Sequence, residues 1–421
     1  MAYDRIVLIV FLTFFALEFF LERALAILNA KHVKAHAASV PAALTGIVDP
    51  ETYRKSVDYT LARAAFGHFE AFEDAMLKLL FLFAGVLPWL SALSARFVPN
   101  EYLCGAMFLL AFSFLRALIS MPLDLYSTFK IEAKFGFNKT TFGTWLMDRI
   151  KGAILATLVG APFIMALLWL TLRTGAFWWL WAALFVIAFQ FLAMILYPMI
   201  IAPLFNKFKP LEEGELSRAL TELAQRCQFG ASGIFVMDGS RRSAHSNAYF
   251  TGVGGARRIV LYDTLVEQLT PPELSAVLAH EIGHYKLKHI PKGMVLGCAM
   301  TLAGFYTLNL VLHWPPLYAA FGGAAWPADS HTPLGVAQGF AICSLISGPL
   351  SFWTGPLFNA LSRKYEYEAD AYARAQTSAE PMRGALLKLF EKNLSNLTPH
   401  PLFSAYHYSH PALIERLDAL K

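Results

Sequence analysis

Charge is scarce in this 421-residue sequence. Asp, Glu, Lys and Arg make up 15% of it, where soluble domains carry about 25%. That excludes a disordered or collagenous chain and argues against a wholly soluble enzyme. Cysteine is scarce too. Cys104, Cys227, Cys298 and Cys343 are scattered, three of them in apolar runs, with no CxxC pair. A disulfide framework is therefore excluded. There is no GxSxG, and no cysteine stands in a recognisable catalytic setting, so neither a serine nor a cysteine nucleophile is indicated. Internal repeats, low-complexity stretches and linkers are absent from the sequence. The net charge of +5 is a weak excess. It does not call for nucleic acid, because membrane proteins concentrate Lys and Arg on their cytoplasmic side.

What the chain has instead is apolar length. Hydrophobic residues make up 56%, Phe alone contributing 35, and mean hydropathy is +0.46. A helix needs ~20 apolar residues to cross a bilayer. Seven runs qualify: 6–28, 75–93, 102–123, 152–172, 177–201, 293–314 and 334–357. The first is not a signal peptide, since it is long, carries Glu18, Glu22 and Arg23, and lacks a small-residue cleavage site. Glu22, Arg23, Lys78 and Arg116 are costly in lipid, so they are expected to pair in an interior or reach the interface.

The segments after runs one, three, five and seven hold the basic residues between runs, whereas the other connections hold only Arg96 and Arg173. The positive-inside rule then puts the N-terminus outside and the C-terminus in the cytoplasm. Five helices with cytoplasmic loops 31–74 and 124–151 occupy 1–201. The segment 202–292 is cytoplasmic, 293–357 holds helices six and seven, and 358–421 is cytoplasmic again. The polar segments share one side and are expected to form one domain.

Within 202–292, Thr270 precedes Pro271 and stands three residues before Glu273, the pattern of a capped helix start. The helix is predicted to run to about Lys288. It carries His280-Glu281-Ile282-Gly283-His284. Two histidines four apart lie on one helical face, so both can reach one Zn²⁺ with Glu281 beside the attacking water. Catalytic zinc takes three protein ligands. The extended pattern that would supply a third histidine fails, with Leu287 and Ile290 at the required positions. Candidates lie after the seventh run, where Glu366 and Asp370 are four apart on a predicted helix, with Glu368 as a rival. One could bind the metal while another orients a ligand histidine.

Eight segments together are similar to the CAAX prenyl protease 1 family of seven-span membrane zinc endopeptidases. They are VPAALTGIVDPETYRKSVDYT (40–60), FGFNKTTF (135–142), IAPLFNKF (201–208), RRSAHSNAYFTG (241–252), RIVLYDTL (258–265), LAHEIGHYKLKH (278–289), SRKYEYEADAYA (362–373) and YSHPALIERL (408–417). The resemblance implies that His280, His284 and Glu366 bind one zinc per chain, that Glu281 is the catalytic base, and that Asp370 orients a ligand histidine. It further implies that His410 and Arg416 act near the scissile carbonyl and that Asn247, Ala248, Tyr249 and Phe250 form a substrate-binding edge strand. His289 fits no ligand spacing and is assigned to structure.

The expected fold is mainly α: a polytopic membrane protein with seven transmembrane helices, a zincin-like metalloprotease domain and a small β-element on the cytoplasmic side. Its expected partners are the lipid bilayer and the peptide or C-terminal tail of a membrane-associated protein, prenylated or not. No nucleic-acid partner is expected. The chain ends at Lys421 without a retrieval tail, so a bacterial inner membrane is expected, or the endoplasmic reticulum in a eukaryote. Two other functions remain open at this stage: a quality-control protease of broad specificity, and a transporter or scaffold with a vestigial metal site.

Overall fold

The computed structural model describes residues 2–230, 232–251, 257–322 and 331–421. Gly252, the last residue of the 241–252 segment, lies outside the described residues.

Long helices come first: α1 (Ala2–His36), α2 (Pro50–Phe83), α3 (Val86–Phe97), α4 (Glu101–Tyr126), α5 (Phe142–Arg173) and α6 (Trp178–Leu196). Local chemistry sets their starts. The Asp49 carboxylate accepts from the Thr52 N–H at 2.9 Å, with Pro50 in the first turn of α2. Asn100 caps α4 and Thr141 caps α5 in the same way. Each cap satisfies an N–H that the helix itself leaves unpaired. Gly85, with φ of 75°, takes the left-handed turn that bends α2 against α3 by 61°.

A mixed region follows. The short α7 (Ala202–Phe205) leads to β1 (Phe208–Pro210), α8 (Glu215–Arg226), β2 (Gly233–Met237), β3 (Ala248–Thr251) and β4 (Arg258–Tyr262). The four-stranded sheet has the order β1-β2-β4-β3, with β2 and β4 parallel and the outer pairs antiparallel. Next come α9 (Asp263–Gln268), α10 (Pro271–Lys286), α11 (His289–Val311), α12 (Pro315–Gly322), α13 (Pro333–Ser351) and α14 (Gly355–Gln376). The chain closes with α15 (Ala379–Asn393), α16 (Pro401–His407) and α17 (Leu413–Ala419).

Among the described residues, five segments are long and apolar enough to cross a membrane: Glu101–Glu132, Phe142–Arg173, Gly175–Phe205, His289–Val311 and Pro333–Gln376. The bent α2–α3 pair makes a sixth if it counts as one span. The sequence expectation was seven. It differs at the first run, on α1, because of Glu18, Glu22 and Arg23, and at the second, which Gly85 splits. The charges on these helices are paired, within α2 and across the bundle. Lys78 lies 2.9 Å from Asp74 and 3.9 Å from Glu18, and Arg116 lies 2.5 Å from Asp74. Arg23 donates to the Gly67 carbonyl, and Glu22 faces His407 at 3.5 Å.

Two apolar cores result. One lies among the spanning helices, around Phe81, Phe108, Leu168 and Val336. The other draws on distant parts of the sequence: Val33, Leu44, Tyr53 and Val57, then Leu220, Ile259, Leu274 and Ile282, then Ala373, Leu386 and Leu417. The loop after α4 and the start of α5 join this second body through polar contacts. Arg242 clamps Asp148 with two hydrogen bonds of 2.8 and 3.0 Å, and the Ala244 N–H donates to the Phe137 carbonyl.

Candidate metal centre

The site is built where α10 crosses α14. On α10 the Glu273 carboxylate accepts from the Thr270 N–H and hydroxyl, both at 2.8 Å, and Lys388 sits on the same carboxylate. The helix start is thus locked to α15. Leu274, Leu278 and Ile282 point into the core, which fixes the rotation of the helix. The phase leaves His280 and His284 turned toward α14. Gly283 makes the close approach possible. A Cβ there would lie 3.1 Å from the Tyr372 Cβ and 3.2 Å from the Ala369 Cα. Gly283→Val should therefore push the helices apart, costing ~1–3 kcal/mol, and should lower the thermal midpoint of the solubilised protein. An unchanged midpoint would mean that α14 yields without strain.

Across this contact Glu366 and Asp370 stand one turn apart on α14. The His280 and His284 Nε2 atoms are 3.2 Å apart. Glu366 Oε2 is 3.5 Å from His280 Nε2, and its Oε1 is 3.3 Å from His284 Nε2. Among the described residues this is the one group of three such side chains whose donor atoms lie within 4.8 Å of one another. A tetrahedral shell with bonds of ~2.0–2.1 Å puts its donors ~3.4 Å apart. The separation of the two imidazole nitrogens is close to that spacing, and each nitrogen has one Glu366 oxygen at a similar distance. Glu366 Oε2 is also buried and makes no hydrogen bond, with His280 Nε2 at 3.5 Å and Arg416 Nη1 at 3.6 Å beside it, so it keeps its acceptor capacity for a bound cation. Two imidazoles and one carboxylate form a zinc donor set found in metalloproteases. The residues present fit zinc.

The surroundings hold the donors in place. His280 Nδ1 lies 2.8 Å from Asp370 Oδ1. Arg416 clamps that carboxylate with hydrogen bonds of 2.8 and 2.6 Å. Asp370 is 1% exposed, so its charge depends on Arg416. Burial alone would lower the His280 pKa, but the neighbouring Asp370 and Glu366 carboxylates outweigh it and lift the imidazole to about 9. The negative charge that favours a proton there also favours a cation. Burial raises the Glu281 carboxyl above the ordinary range, against the pull of His280 and His284.

Residues 210–421 match peptidase family M48, and residues 29–207 match the CAAX prenyl protease N-terminal region, described as five membrane helices. The chain belongs to peptidase family M48. It is 37% identical over 392 residues to the CAAX prenyl protease 1 homolog of Arabidopsis thaliana, covering 91% of this chain and 90% of that one. Against the CAAX prenyl protease 1 of Saccharomyces cerevisiae it is 37% identical over 410 residues, covering 93% and 90%. The crystal structure of S. mikatae Ste24p superposes with a TM-score of 0.92 at 34% identity, covering 100% of this chain and 99% of that chain. This M48 chain is a multi-pass membrane zinc metalloprotease.

The other residues singled out in the M48 sequence fall around the donors. His410 Nε2 lies 3.4 Å from Glu366 Oε1, and its Nδ1 lies 3.0 Å from the Ser409 hydroxyl. Arg416 Nη1 is 3.6 Å from Glu366 Oε2. Glu368, the rival for third ligand, points away from the donors and meets His289 instead. His289 itself is buried against His284, a role that ligand spacing does not reveal. The 247–250 segment leads into and forms most of β3, an edge of the sheet beside α10. Phe250 packs on Phe229, and Tyr249 turns toward Met237 and Tyr262. Those two side chains are committed to packing, so what β3 offers a ligand is its backbone edge.

Proposed function

We propose that His280, His284 and Glu366 hold one zinc per chain and that Glu281 is the general base of peptide hydrolysis. The observation that carries this reading is the buried Glu366 carboxylate, its Oε2 3.5 Å from His280 Nε2 and its Oε1 3.3 Å from His284 Nε2, with one donor atom of each residue within 4.8 Å of the others. Zinc, when bound, supplies Lewis acidity and lowers the pKa of water. Glu281 takes the proton of the attacking water and passes it to the leaving amine. Its burial suits the second half of that task, since a raised carboxyl holds a proton between the two steps. Nε2–H of His410 donates to the developing oxyanion, while the Ser409 hydroxyl donates to Nδ1 and fixes that tautomer. Arg416, fixed by Asp370, adds positive charge beside the same point. An extended peptide adds to β3 through main-chain hydrogen bonds, which seats a scissile bond with little demand on sequence.

In this reading the chain crosses the bilayer seven times, with α1 and the bent α2–α3 pair included. The charges of α1 meet partners inside the bundle rather than lipid, and 35 residues of helix span ~52 Å, ample for a bilayer. The basic residues of 31–74, 124–151, 202–292 and 358–421 put the site on the cytoplasmic face.

The substrate class follows from the relatives, which are named as CAAX prenyl proteases. We assign this chain the C-terminal tails of membrane-associated, prenylated proteins. The test uses purified protein with a farnesylated CaaX peptide and its unprenylated twin, the products read by mass spectrometry. Preferred cleavage of the farnesylated peptide near its C-terminus is expected. Equal cleavage of both would replace this reading with a broad-specificity quality-control protease. Zinc-loaded protein that cleaves neither would overturn the protease assignment for these substrates.

A further inference from the structure

One histidine beside the metal centre has no place in the HExxH spacing, yet its contacts are specific. His289 is 5% exposed. Its Nδ1 lies 3.0 Å from His284 Nδ1, and its Nε2 lies 2.9 Å from Glu368 Oε2. The ring stacks on Tyr365 with centroids 4.1 Å apart and planes 9° from parallel. Lys292 sits over the other aromatic of that stack, with its Nζ 5.6 Å from the Tyr365 centroid. Lys364 approaches Glu368 Oε1 at 3.8 Å.

The hydrogen count along this row has one solution once His284 Nε2 is a metal donor. Nε2 must then be bare, so the His284 proton sits on Nδ1 and donates to His289 Nδ1. His289 accepts there, so its own proton sits on Nε2 and donates to the Glu368 carboxylate. Every donor meets an acceptor, and the row ends on a partly exposed anion. The backbone is bent to allow this. Lys288, between α10 and α11, has φ of 58°, a left-handed conformation that non-glycine residues adopt only rarely. The turn separates α10 from α11 and sets His289 against the histidine five positions before it. Strain held at such a point is expected where the structure gains from it.

We propose that His289 and Glu368 are positioning residues for the metal, a two-step relay that fixes the tautomer and ring plane of His284. Asp370 does the same for His280 in one step, with Arg416 behind it. The two ligand histidines thus have separate supports, one ending on a buried ion pair and one on a carboxylate near the surface. The proposal rests on the reading of His280, His284 and Glu366 as zinc ligands.

The experiment compares His289→Phe and His289→Gln in the full-length, detergent-solubilised protein. Zinc affinity is measured by competition with a fluorescent chelator, and the thermal midpoint of the zinc-stripped protein is recorded alongside. Phe keeps the buried ring and its stack on Tyr365 but removes both hydrogen bonds. Gln loses the ring but offers an oxygen to His284 and an N–H to Glu368. Loss of such a support weakens metal binding ~10–100-fold. Phe should therefore bind zinc 10–100-fold more weakly than wild type, and Gln should recover most of that loss. A residue needed only for packing would give the opposite order, with Phe the milder change in both affinity and midpoint. Wild-type affinity in His289→Phe, or Gln no better than Phe, would overturn the relay. A wild-type chain that takes up no zinc would instead remove the ligand assignment on which the relay depends.

Discussion

Glu281→Gln should leave zinc content and folding intact and lower single-turnover peptide cleavage by at least ~10²–10⁴-fold. Gln has the volume and shape of Glu, so α10 keeps its packing against α14. Glu281 follows ligand His280 directly but is not among the three side chains at ligand spacing, so the donor set survives. What disappears is the ability to accept a proton. Burial has already made that carboxyl easier to protonate, which is the property the substitution removes. Peptide should still dock along β3, since the strand edge is untouched, and the variant should trap complexes. Three measurements on one preparation decide the matter: zinc analysis, a peptide-binding titration and single-turnover cleavage. Cleavage near the wild-type rate, with zinc confirmed, would remove Glu281 from the chemistry. It would also reopen the reading of the chain as a transporter or scaffold, with a contaminating protease behind the activity.

The parts of this site that were legible in sequence are those set by neighbours along the chain. Thr270, Pro271 and Glu273 announce a helix start, and the structure begins α10 at Pro271 with Glu273 hydrogen-bonded back to Thr270. The period of the helix then puts His280 and His284 on one face without further information. The predicted end at Lys288 was late, because a left-handed residue leaves no trace in composition when it is not glycine. For the same reason His289 read as structural. Its spacing of five from His284 is wrong for one continuous helix, and the left-handed turn at Lys288 is what brings the two together. A histidine just beyond a predicted helix end, close behind two others, was the available signal.

Residues that act across the fold were legible only through resemblance. Spacing left Glu366, Glu368 and Asp370 as open choices, since all three sit within five residues of one helix. Their rotation against α10 separates them: Glu366 faces two Nε2 atoms, Asp370 faces His280 Nδ1, and Glu368 faces His289. The spans show the same division. Hydropathy finds helices that meet lipid, such as Phe142–Arg173. It also finds the run on α1 but leaves Glu18 and Glu22 unexplained, because their partners are on α2 and α16, far away in sequence.

Glu366→Ala should abolish zinc-dependent stabilisation as well as cleavage. A ligand that binds only the folded state raises its stability by RT ln(1 + [L]/Kd), ~4 kcal/mol at a thousandfold excess over Kd. Wild-type protein, stripped and then given excess zinc, should gain a thermal shift of that origin. Removing Glu366 leaves two imidazoles with no charged donor between them, and the shift should vanish at the same zinc concentration. The substitution also takes away an anion that His280 and His284 both face, so the two rings lose their common partner. Arg416 keeps its clamp on Asp370, which protects the fold and lets the stripped variant serve as its own control. Glu366→Asp sharpens the test. It restores the charge but draws the carboxylate back by one methylene, ~1.5 Å, out of a donor set spaced for bonds of ~2.0–2.1 Å. The shift should stay small in that variant too. Glu368→Ala should differ in kind, retaining a zinc-dependent shift that needs ~10–100-fold more metal to develop. Should Glu368→Ala lose the shift altogether while Glu366→Ala keeps it, the third ligand is Glu368, and the orientation of α14 against α10 would need to turn by about half a turn to bring it to the metal.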